Sequence, residues 1–450
     1  MGGGRVVVVG GGIAGLTVAY RLLRRGIDPL VLEASDRPGG KLRSIEVDGL
    51  RVEVGPDAFV ARKPWAVDLC GELAVPTVAP GATGSYLWTE RGLEPFPRDA
   101  PFGIPGDIAE VLRWPGVSSR GRRRAARDLL IRTRRDGVEE TLGGLLRRRL
   151  GDEATERAVA PLLAGLYAGD VDRLSAPATF PELVAWESAQ GSLIRGSQAA
   201  RRATDRAAAG PMFRRPLGGI ERLTDTLVAT LGDRVRTDAA VASLDELADP
   251  DAIVLATPAF ESGRLVRERA PHAAAELAAI PYVSTAVVAM VYPQGSQASL
   301  PDGTGFVVPR GMAPMTACTW LSSKWPDDGW GTRAVLRCYV GAAGEEDVVD
   351  APDADLIDAC ARHVAAVVPL PDRPELAAVH RWPRAMPQFE RGHLERVVRI
   401  REGLPAGIFV AGSAYDGVGI PDAVRGAGET AERVAAFLGA SRRSDEETVP

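Results

Sequence analysis

Three glycines near the N-terminus have the spacing that binds a dinucleotide. The motif Gly10-x-Gly12-x-x-Gly15 follows four consecutive valines, and Glu33 ends the next apolar run, about twenty residues further on. Gly10 allows a tight turn, Gly12 lets the backbone approach a pyrophosphate, and Gly15 lets a helix pack closely on a strand. A carboxylate in the position of Glu33 accepts hydrogen bonds from ribose hydroxyls. The chemistry that these residues predict is therefore dinucleotide binding.

A strand, a helix and a second strand must position these residues. Residues 6–9 are all valine, residues 15–25 carry apolar side chains at helical spacing, and residues 27–33 return as an apolar run. This pattern predicts a βαβ unit in which the N-terminus of the helix faces the phosphates. The fold class that follows is α/β, with a Rossmann-type nucleotide-binding domain at the start of the chain.

The residues after Glu33 indicate which dinucleotide is bound. Residues 36–43 add a glycine pair and basic side chains to the phosphate site, and Gly55-Pro56-Asp57-Ala58 follows the next predicted strand. Both segments resemble the FAD-binding elements of the amine oxidase and protoporphyrinogen oxidase superfamily. The sequence has no second G-x-G-x-x-G motif, so a separate nicotinamide site is not predicted.

A glycine-rich stretch near the C-terminus has the form that closes the flavin end of such a site. Residues 408–412 read as a strand, and residues 412–422 form a loop in which Pro421 suits the first turn of a helix. The N-terminus of that helix can stabilise negative charge on a reduced flavin. An ordinary strand, loop and helix needed only for packing is the alternative.

The middle of the chain carries more specific motifs. Tyr167-Ala168-Gly169-Asp170 resembles the segment that lines the active site in protoporphyrinogen and coproporphyrinogen oxidases. Residues 317–326, 381–393 and 415–422 are also similar to that family, in the same order along nearly the whole chain. The chain is therefore identified as a member of this family. The resemblance implies FAD-dependent removal of six electrons from a porphyrinogen, with dioxygen as the acceptor and hydrogen peroxide as the by-product.

The resemblance also implies cofactor and substrate contacts, residue by residue. Tyr167, Ala168, Gly169 and Asp170 are the candidates for the substrate pocket. The implied FAD contacts are Gly10, Gly11, Gly12, Ile13, Ala14, Gly15, Glu33, Ala34, Lys41, Gly55, Pro56, Asp57, Ala58, Val241, Trp382, Val418, Gly419 and Ile420. Lys41 stands where the family often has arginine, so a point charge replaces a planar fork at the pyrophosphate. No protein acid or base is predicted, because the four histidines are isolated in sequence and the flavin carries the chemistry.

Changes in composition along the chain predict a discontinuous domain organisation. Residues 1–80, 210–272 and 390–440 are assigned to the FAD-binding domain, and residues 85–190 to an inserted helical subdomain. Residues 191–209 and 273–389 are assigned to a substrate domain built on an antiparallel sheet, because β-branched runs there are separated by Gly, Pro and Asp. Residues 441–450 are polar and are predicted to form a flexible tail.

The composition of the 450 residues excludes several classes of protein. A net charge of -5 argues against nucleic acid as a partner. The four cysteines lack the spacing of a zinc site or a disulfide framework, which favours a reducing cytoplasm and no metal. No transmembrane segment or export signal is predicted. The arginine-rich residues 120–135 could contact a membrane surface or a ferrochelatase partner, and a solvated helix face is the alternative.

The sequence favours one porphyrinogen over another only indirectly. Coproporphyrinogen has four propionates and protoporphyrinogen two, so the former needs more basic groups at the edge of the site. Arg62, Lys63 and the arginine-rich helices are candidates for this role. The Ala-, Arg- and Gly-rich composition resembles that of high-GC bacterial proteins, and bacterial family members of this kind commonly act on coproporphyrinogen III. This is the predicted substrate, with protoporphyrinogen IX, or another amine oxidase or desaturase activity, as the alternatives.

Overall fold

The computed structural model describes residues 5–97, 100–206, 210–326 and 328–447. Its strands are β1 Arg5–Val9, β2 Asp28–Leu32, β3 Ser44–Val47, β4 Leu50–Glu53, β5 Phe59–Val60, β6 Thr77–Val78, β7 Tyr86–Thr89, β8 Gly92–Pro95, β9 Phe213–Pro216, β10 Val235–Arg236, β11 Ala252–Leu255, β12 Tyr282–Val291, β13 Gly305–Val307, β14 Met315–Trp320, β15 Val335–Val340, β16 Leu376–Pro387 and β17 Ile408–Val410. Its α-helices are α1 Ile13–Leu23, α2 Trp65–Glu72, α3 Ile108–Val111, α4 Ser119–Ala126, α5 Leu142–Leu150, α6 Asp152–Ala154, α7 Ala160–Tyr167, α8 Ala176–Thr179, α9 Pro181–Gln190, α10 Leu193–Arg206, α11 Arg222–Leu231, α12 Ala259–Val266, α13 Pro271–Ala278, α14 Leu321–Lys324, α15 Asp353–Ala365, α16 His393–Gly403 and α17 Ile420–Glu447.

A five-stranded parallel sheet in the order β10-β2-β1-β11-β17 confirms the Rossmann-type domain. The valines of β1 alternate between its two faces because successive side chains of a strand point to opposite sides. Val6 and Val8 pack in a core with α1, α11 and α17, whereas Val7 and Val9 pack in a core with α12, α13 and α16. Both faces are therefore buried, as expected for parallel strands covered by helices.

A second, seven-stranded sheet has the order β16-β12-β15-β14-β13-β7-β8. Its pairs are antiparallel except for β13 and β7, which are parallel. The helix α15 covers one face through Leu356, Cys360 and Val364. The opposite face packs against Val47 and Val52 of the β3–β4 hairpin. The sheet is thereby fixed beside the residues that follow β4.

A helical cluster forms the third part of the molecule, between residues 101 and 206. Its core includes Trp114, Leu146, Leu163 and Leu183, all fully buried. Arg149 is also fully buried there, and its guanidinium forms an ion pair of 2.6 Å with Asp128. Among the described helices, none is both long and apolar enough to cross a membrane.

Several boundaries differ from the sequence-based assignment. The predicted helical subdomain, residues 85–190, begins with β7 and β8, which belong to the seven-stranded sheet. The strand β7 joins that sheet by pairing in parallel with β13, and the two strands are too far apart in sequence for a local pattern to indicate the pairing. The helix α10 was assigned to the substrate domain, but Leu193 and Ile194 pack into the helical cluster. The predicted tail is helical backbone up to Glu447, because residues 441–447 contain no Gly or Pro that would end α17. Residues 448–450 lie outside the described residues.

Candidate flavin and substrate site

The glycine loop between β1 and α1 is held by close contacts of the backbone. Gly10 has φ of +106°, and a Cβ at that residue would lie 2.7 Å from the carbonyl oxygen of Ala256. A Cβ at Gly15 would lie 2.0 Å from the carbonyl oxygen of Gly10. By contrast, a Cβ at Gly12 would meet nothing within 4 Å. The loop is thus closely packed at Gly10 and Gly15 and open at Gly12, which is the arrangement that a pyrophosphate site requires.

Glu33 is oriented at the end of β2 by hydrogen bonds to both carboxylate oxygens. Its Oε2 accepts from the Gly11 amide at 2.7 Å, and its Oε1 accepts from the Ser35 amide at 2.9 Å. The backbone of Glu33 also bonds to Ala239, which brings Val241 to the same end of the site. The carbonyl oxygen of Val241 accepts from Arg264 at 3.0 Å. This arrangement suits the ribose and adenine end of a dinucleotide.

The glycine pair after Glu33 closes over the loop and introduces a cation. The Gly39 amide donates to the Gly11 carbonyl at 2.8 Å, and a Cβ at Gly40 would lie 3.1 Å from the Cα atom of Gly12. Burial lowers the pKa of the adjacent Lys41 to about 8. No described residue forms a hydrogen bond or an ion pair with its ammonium group. A half-buried cation with no counter-ion among the described residues, beside an open glycine loop, fits the pyrophosphate of FAD.

The backbone of residues 53–57 is fixed by side chains of the seven-stranded sheet. Trp382 donates from Nε1 to the Val54 carbonyl at 2.8 Å, and Arg337 donates to the Gly55 carbonyl at 2.6 Å. The carboxylate of Asp57 accepts from Trp325 at 2.8 Å and forms ion pairs with Lys324 and Arg337 at 2.8 and 2.9 Å.

These partners determine what Asp57 can do. Burial alone would raise its pKa, but the cations of Lys324 and Arg337 lower the pKa of Asp57 below its ordinary value. The carboxylate is therefore ionised and fully engaged within the protein. Any contact of the predicted Gly55-Pro56-Asp57-Ala58 segment with the cofactor is left to its backbone and to the side chains of Pro56 and Ala58.

The C-terminal loop meets the N-terminal one at the edge of the parallel sheet. A Cβ at Gly412 would lie 4.0 Å from the Cβ of Ala14. Val418 packs against the helical cluster, and Ile420 is buried in the core of the Rossmann-type domain. Asp422, in the first turn of α17, forms an ion pair with Lys63 at 2.8 Å. The loop thus brings Val418, Gly419 and Ile420 between the nucleotide-binding domain and the helical cluster.

Tyr167 ends α7 and forms a wall next to this loop. Its ring packs edge-on against Phe180 and Phe389 with centroids 5.7 and 5.8 Å apart, and its hydroxyl donates to the Thr179 carbonyl at 3.3 Å. Burial and the nearby negative charge of Asp422 raise the pKa of Tyr167 above its ordinary value. A neutral phenol already bonded to a carbonyl serves packing better than acid or base catalysis.

The rest of the predicted substrate segment is also bonded within the protein. Ala168 adopts a left-handed φ of +48°, and its carbonyl accepts from the Ala343 amide at 2.8 Å. A Cβ at Gly169 would lie 2.7 Å from Oε1 of Gln388. The carboxylate of Asp170 accepts from the Asp172 amide at 2.9 Å, which caps a turn. This segment therefore supplies the shape of a wall, and its polar groups are used to hold that shape.

Sequence reasoning missed Arg337 altogether. The signal was present, because one arginine lies in the run Val-Leu-Arg-Cys-Tyr-Val of β15, where a fully buried charge needs a specific partner. The partners, residues 53–57, are distant in sequence, so their identity could not be read from the pattern.

The chain is similar in sequence and in structure to known flavin-dependent oxidoreductases. Residues 13–435 match the family described as flavin containing amine oxidoreductase. The chain is 34% identical over 447 residues to a coproporphyrinogen III oxidase of Bacillus subtilis (strain 168), covering 93% of this chain and 95% of that protein. It is 31% identical over 463 residues to a coproporphyrinogen III oxidase of Staphylococcus aureus (strain NCTC 8325 / PS 47), covering 96% and 99%. A solved structure from Exiguobacterium sp. 255-15, assigned as a protoporphyrinogen oxidase, superposes with a TM-score of 0.85 at 31% identity, covering 98% of this chain and 100% of that one.

Proposed function

The chain belongs to the flavin containing amine oxidoreductase family and is an FAD-dependent oxidoreductase, and from this premise we propose that it oxidises coproporphyrinogen III to coproporphyrin III. The observation that carries the proposal is the end-to-end similarity to bacterial coproporphyrinogen III oxidases, at 34% identity over 93% of the chain. The site supports it, because a nucleotide cradle, a flavin-end loop and an apolar wall meet at one edge of the sheet.

When bound, FAD supplies the acceptor for hydride from the porphyrinogen. The residues of this chain bind and orient. We assign the pyrophosphate to the N-terminus of α1 and Lys41, the ribose to Glu33, and the flavin end to the backbone of Val418, Gly419 and Ile420. Tyr167 gives the macrocycle an apolar wall. Dioxygen is the proposed final acceptor, consumed three times for each six-electron oxidation, with three molecules of hydrogen peroxide formed.

We assign a propionate contact to Arg62, which lies in the short segment before α2. Lys63 is already paired with Asp422, whereas Arg62 is exposed and has no hydrogen-bond or ion-pair partner among the described residues. A guanidinium can hold a carboxylate through two parallel hydrogen bonds. Replacing Arg62 with Gln should therefore raise KM for coproporphyrinogen III more than it changes kcat.

The test of the proposed function is anaerobic reduction of the bound flavin by stopped-flow absorbance. Coproporphyrinogen III should bleach the flavin band faster than protoporphyrinogen IX does at the same concentration. The similarity to a chloroplastic protoporphyrinogen oxidase of Nicotiana tabacum, 28% identical over 96% of the chain, supports the second substrate as the alternative. A higher kcat/KM for protoporphyrinogen IX would transfer the assignment to that reaction.

We further propose that the arginine-rich surface around α4 contacts an anionic membrane. Arg120, Arg123, Arg127, Arg132 and Arg135 are exposed, and their side chains have no partner among the described residues. Leu130 lies among them with 83% of its surface exposed. An anionic membrane surface would satisfy both the charge and the apolar side chain.

Co-sedimentation with vesicles tests this contact. Binding to anionic vesicles at low salt, lost at high salt and absent with neutral lipid, is the expected result. Retention on a ferrochelatase column without vesicle binding would point to a protein partner instead. Equal behaviour of the wild type and an Arg120→Gln, Arg123→Gln double variant would contradict the contact.

A further inference from the structure

Arg337 lies in the middle of β15, and its charge is directed at the segment that follows β4. The side chain is fully buried. Its guanidinium donates to the Glu53 carbonyl at 2.8 Å and to the Gly55 carbonyl at 2.6 Å. It also pairs with the Asp57 carboxylate at 2.9 Å and donates to the Tyr339 hydroxyl at 2.6 Å. One side chain therefore holds two backbone carbonyls and one carboxylate within residues 53–57.

Packing alone does not account for an arginine at this position. Leu336 and Cys338, its neighbours in β15, point to the opposite face and belong to the apolar core under α15. A buried ion pair is often no more stabilising than apolar side chains of the same size, because the charges lose their hydration. What an apolar side chain could not do is hold two carbonyl groups and a carboxylate in one fixed arrangement.

We propose that Arg337 is a positioning residue for the flavin, acting through the backbone of residues 53–57. The inference rests on the proposed contact between FAD and the Gly55-Pro56-Asp57-Ala58 segment. Trp382 contributes to the same function by holding the carbonyl between those that Arg337 holds, that of Val54. The seven-stranded sheet and residues 53–57 are thereby held in a fixed position relative to each other.

The helical cluster provides a matched control. Arg149 is also fully buried and pairs with Asp128 at 2.6 Å. It also donates to backbone carbonyls, at 2.9 Å to Ile131 and 3.1 Å to Asp128. Its partners all belong to the helical cluster, so its replacement costs buried hydrogen bonds without touching residues 53–57.

The experiment compares Arg337→Lys with Arg149→Lys, each purified with FAD and without substrate. The visible absorption and circular dichroism of the flavin, its reduction potential and the Kd of FAD for the apoprotein are measured together with thermal stability. Because an ammonium has three donors and cannot hold all four acceptors in this arrangement, Arg337→Lys should shift the flavin spectrum and potential and weaken FAD binding by about threefold to tenfold. Arg149→Lys should lower thermal stability and leave the flavin readouts at their wild-type values.

A milder variant keeps the test decisive if Arg337→Lys does not fold. Tyr339→Phe removes only one acceptor of the guanidinium, so the same flavin readouts should move in the same direction by a smaller amount. Wild-type flavin spectra and potentials in every Arg337 and Tyr339 variant that folds, with stability losses like that of Arg149→Lys, would overturn the inference. Since no substrate is present, that outcome leaves the choice of porphyrinogen untouched, and a wild-type enzyme inactive on porphyrinogens would overturn only the proposed reaction.

Discussion

Two strand-to-helix loops leave the same edge of the parallel sheet and are built in opposite ways. The first joins β1 to α1 through three glycines, Gly10 to Gly12, with no side chain of its own. The second joins β17 to α17 through residues 411–419 and packs through side chains: a Cβ at Gly417 would lie 2.8 Å from Cβ of Asp422, and a Cβ at Gly426 of α17 would lie 2.5 Å from Oδ2 of the loop residue Asp416.

The difference lies in what holds each loop. The N-terminal loop is held by close backbone contact, such as that of Gly15 with the Gly10 carbonyl, and by hydrogen bonds of Gly11 with Glu33 and Gly39. The C-terminal loop is held by ion pairs, Lys63 with Asp422 at 2.8 Å and Arg401 with Asp416 at 2.7 Å. Steric repulsion rises steeply as two atoms overlap, whereas the energy of an ion pair changes gradually with distance and is weakened by salt. Replacements in the two loops should therefore differ in size and in salt dependence.

The largest effect is expected from Gly15→Ala. The added methyl carbon would lie 2.0 Å from the Gly10 oxygen, so α1 must move away from β1. We expect overpacking to lower the free energy of unfolding by about 2–3 kcal/mol. FAD affinity should fall by about 100-fold or more, measured as quenching of flavin fluorescence on adding apoprotein.

Gly428→Ala in α17 is the control for adding a methyl group to a glycine. A Cβ at that position meets nothing within 4 Å, so the variant should bind FAD normally and gain about 0.5 kcal/mol of stability. If Gly15→Ala behaved like Gly428→Ala, the steric account of the N-terminal loop would be wrong.

Gly12→Ala separates the cofactor cradle from the fold. Gly12 has φ of -72°, which alanine adopts without strain, and its Cβ would point into open space. The apoprotein should therefore unfold at the wild-type temperature. FAD binding should weaken by about tenfold to 100-fold, because the methyl group occupies the approach of the pyrophosphate. Equal loss of stability in Gly12→Ala and Gly15→Ala would remove the distinction between the open and the closed side of the loop.

Lys41 should make FAD binding depend on pH. Burial lowers its pKa to about 8 from an ordinary 10.5, so between these values the unfolded chain carries the proton more often than the folded apoprotein. Apoprotein stability attributable to Lys41 therefore rises with pH across that range. FAD affinity should move the opposite way, because the pyrophosphate favours the protonated amine; it should fall above pH 8 by up to about tenfold per pH unit.

Two variants of Lys41 identify the source of that slope. Lys41→Arg keeps its charge at every pH tested, so its FAD affinity should stay high and independent of pH. Lys41→Met has no charge, so its FAD affinity should stay low and independent of pH. A slope that persists in Lys41→Met, measured by isothermal titration calorimetry, would assign the titration to another group.

The two strand-to-helix loops also differ in how much of each could be predicted from the sequence. The βαβ unit of β1, α1 and β2 follows from local spacing, and the parallel sheet confirms it. The cofactor contacts of the N-terminal loop and of Glu33 stay predictions. The flavin-end loop at residues 418–420 was assigned by family resemblance, because its supporting pairs join residues far apart, such as Lys63 and Asp422.

The remaining errors share one cause. The pairing of β7 with β13, the packing of α10 in the helical cluster, and the clamp of Arg337 on residues 53–57 are all contacts between distant segments. Local periodicity predicts that a helix or strand exists, but it does not predict which other segment that helix or strand pairs with or packs against. Cys318 and Cys338 show the same limit, because they appear scattered in sequence and lie opposite each other on β14 and β15.

The smallest effect is expected from Asp422→Asn, which tests the electrostatic half of the comparison. The carboxylate accepts from Lys63 at 2.8 and 2.9 Å and lies in the first turn of α17, where a negative charge is favourable. Because the side chain of Lys63 is 39% exposed, the pair should contribute only about 0.5–1 kcal/mol. A double-mutant cycle with Lys63→Met measures this coupling by thermal unfolding at low and high salt. The coupling should shrink at high salt, and a value that salt leaves unchanged would mean that shape, as in the N-terminal loop, holds this loop too.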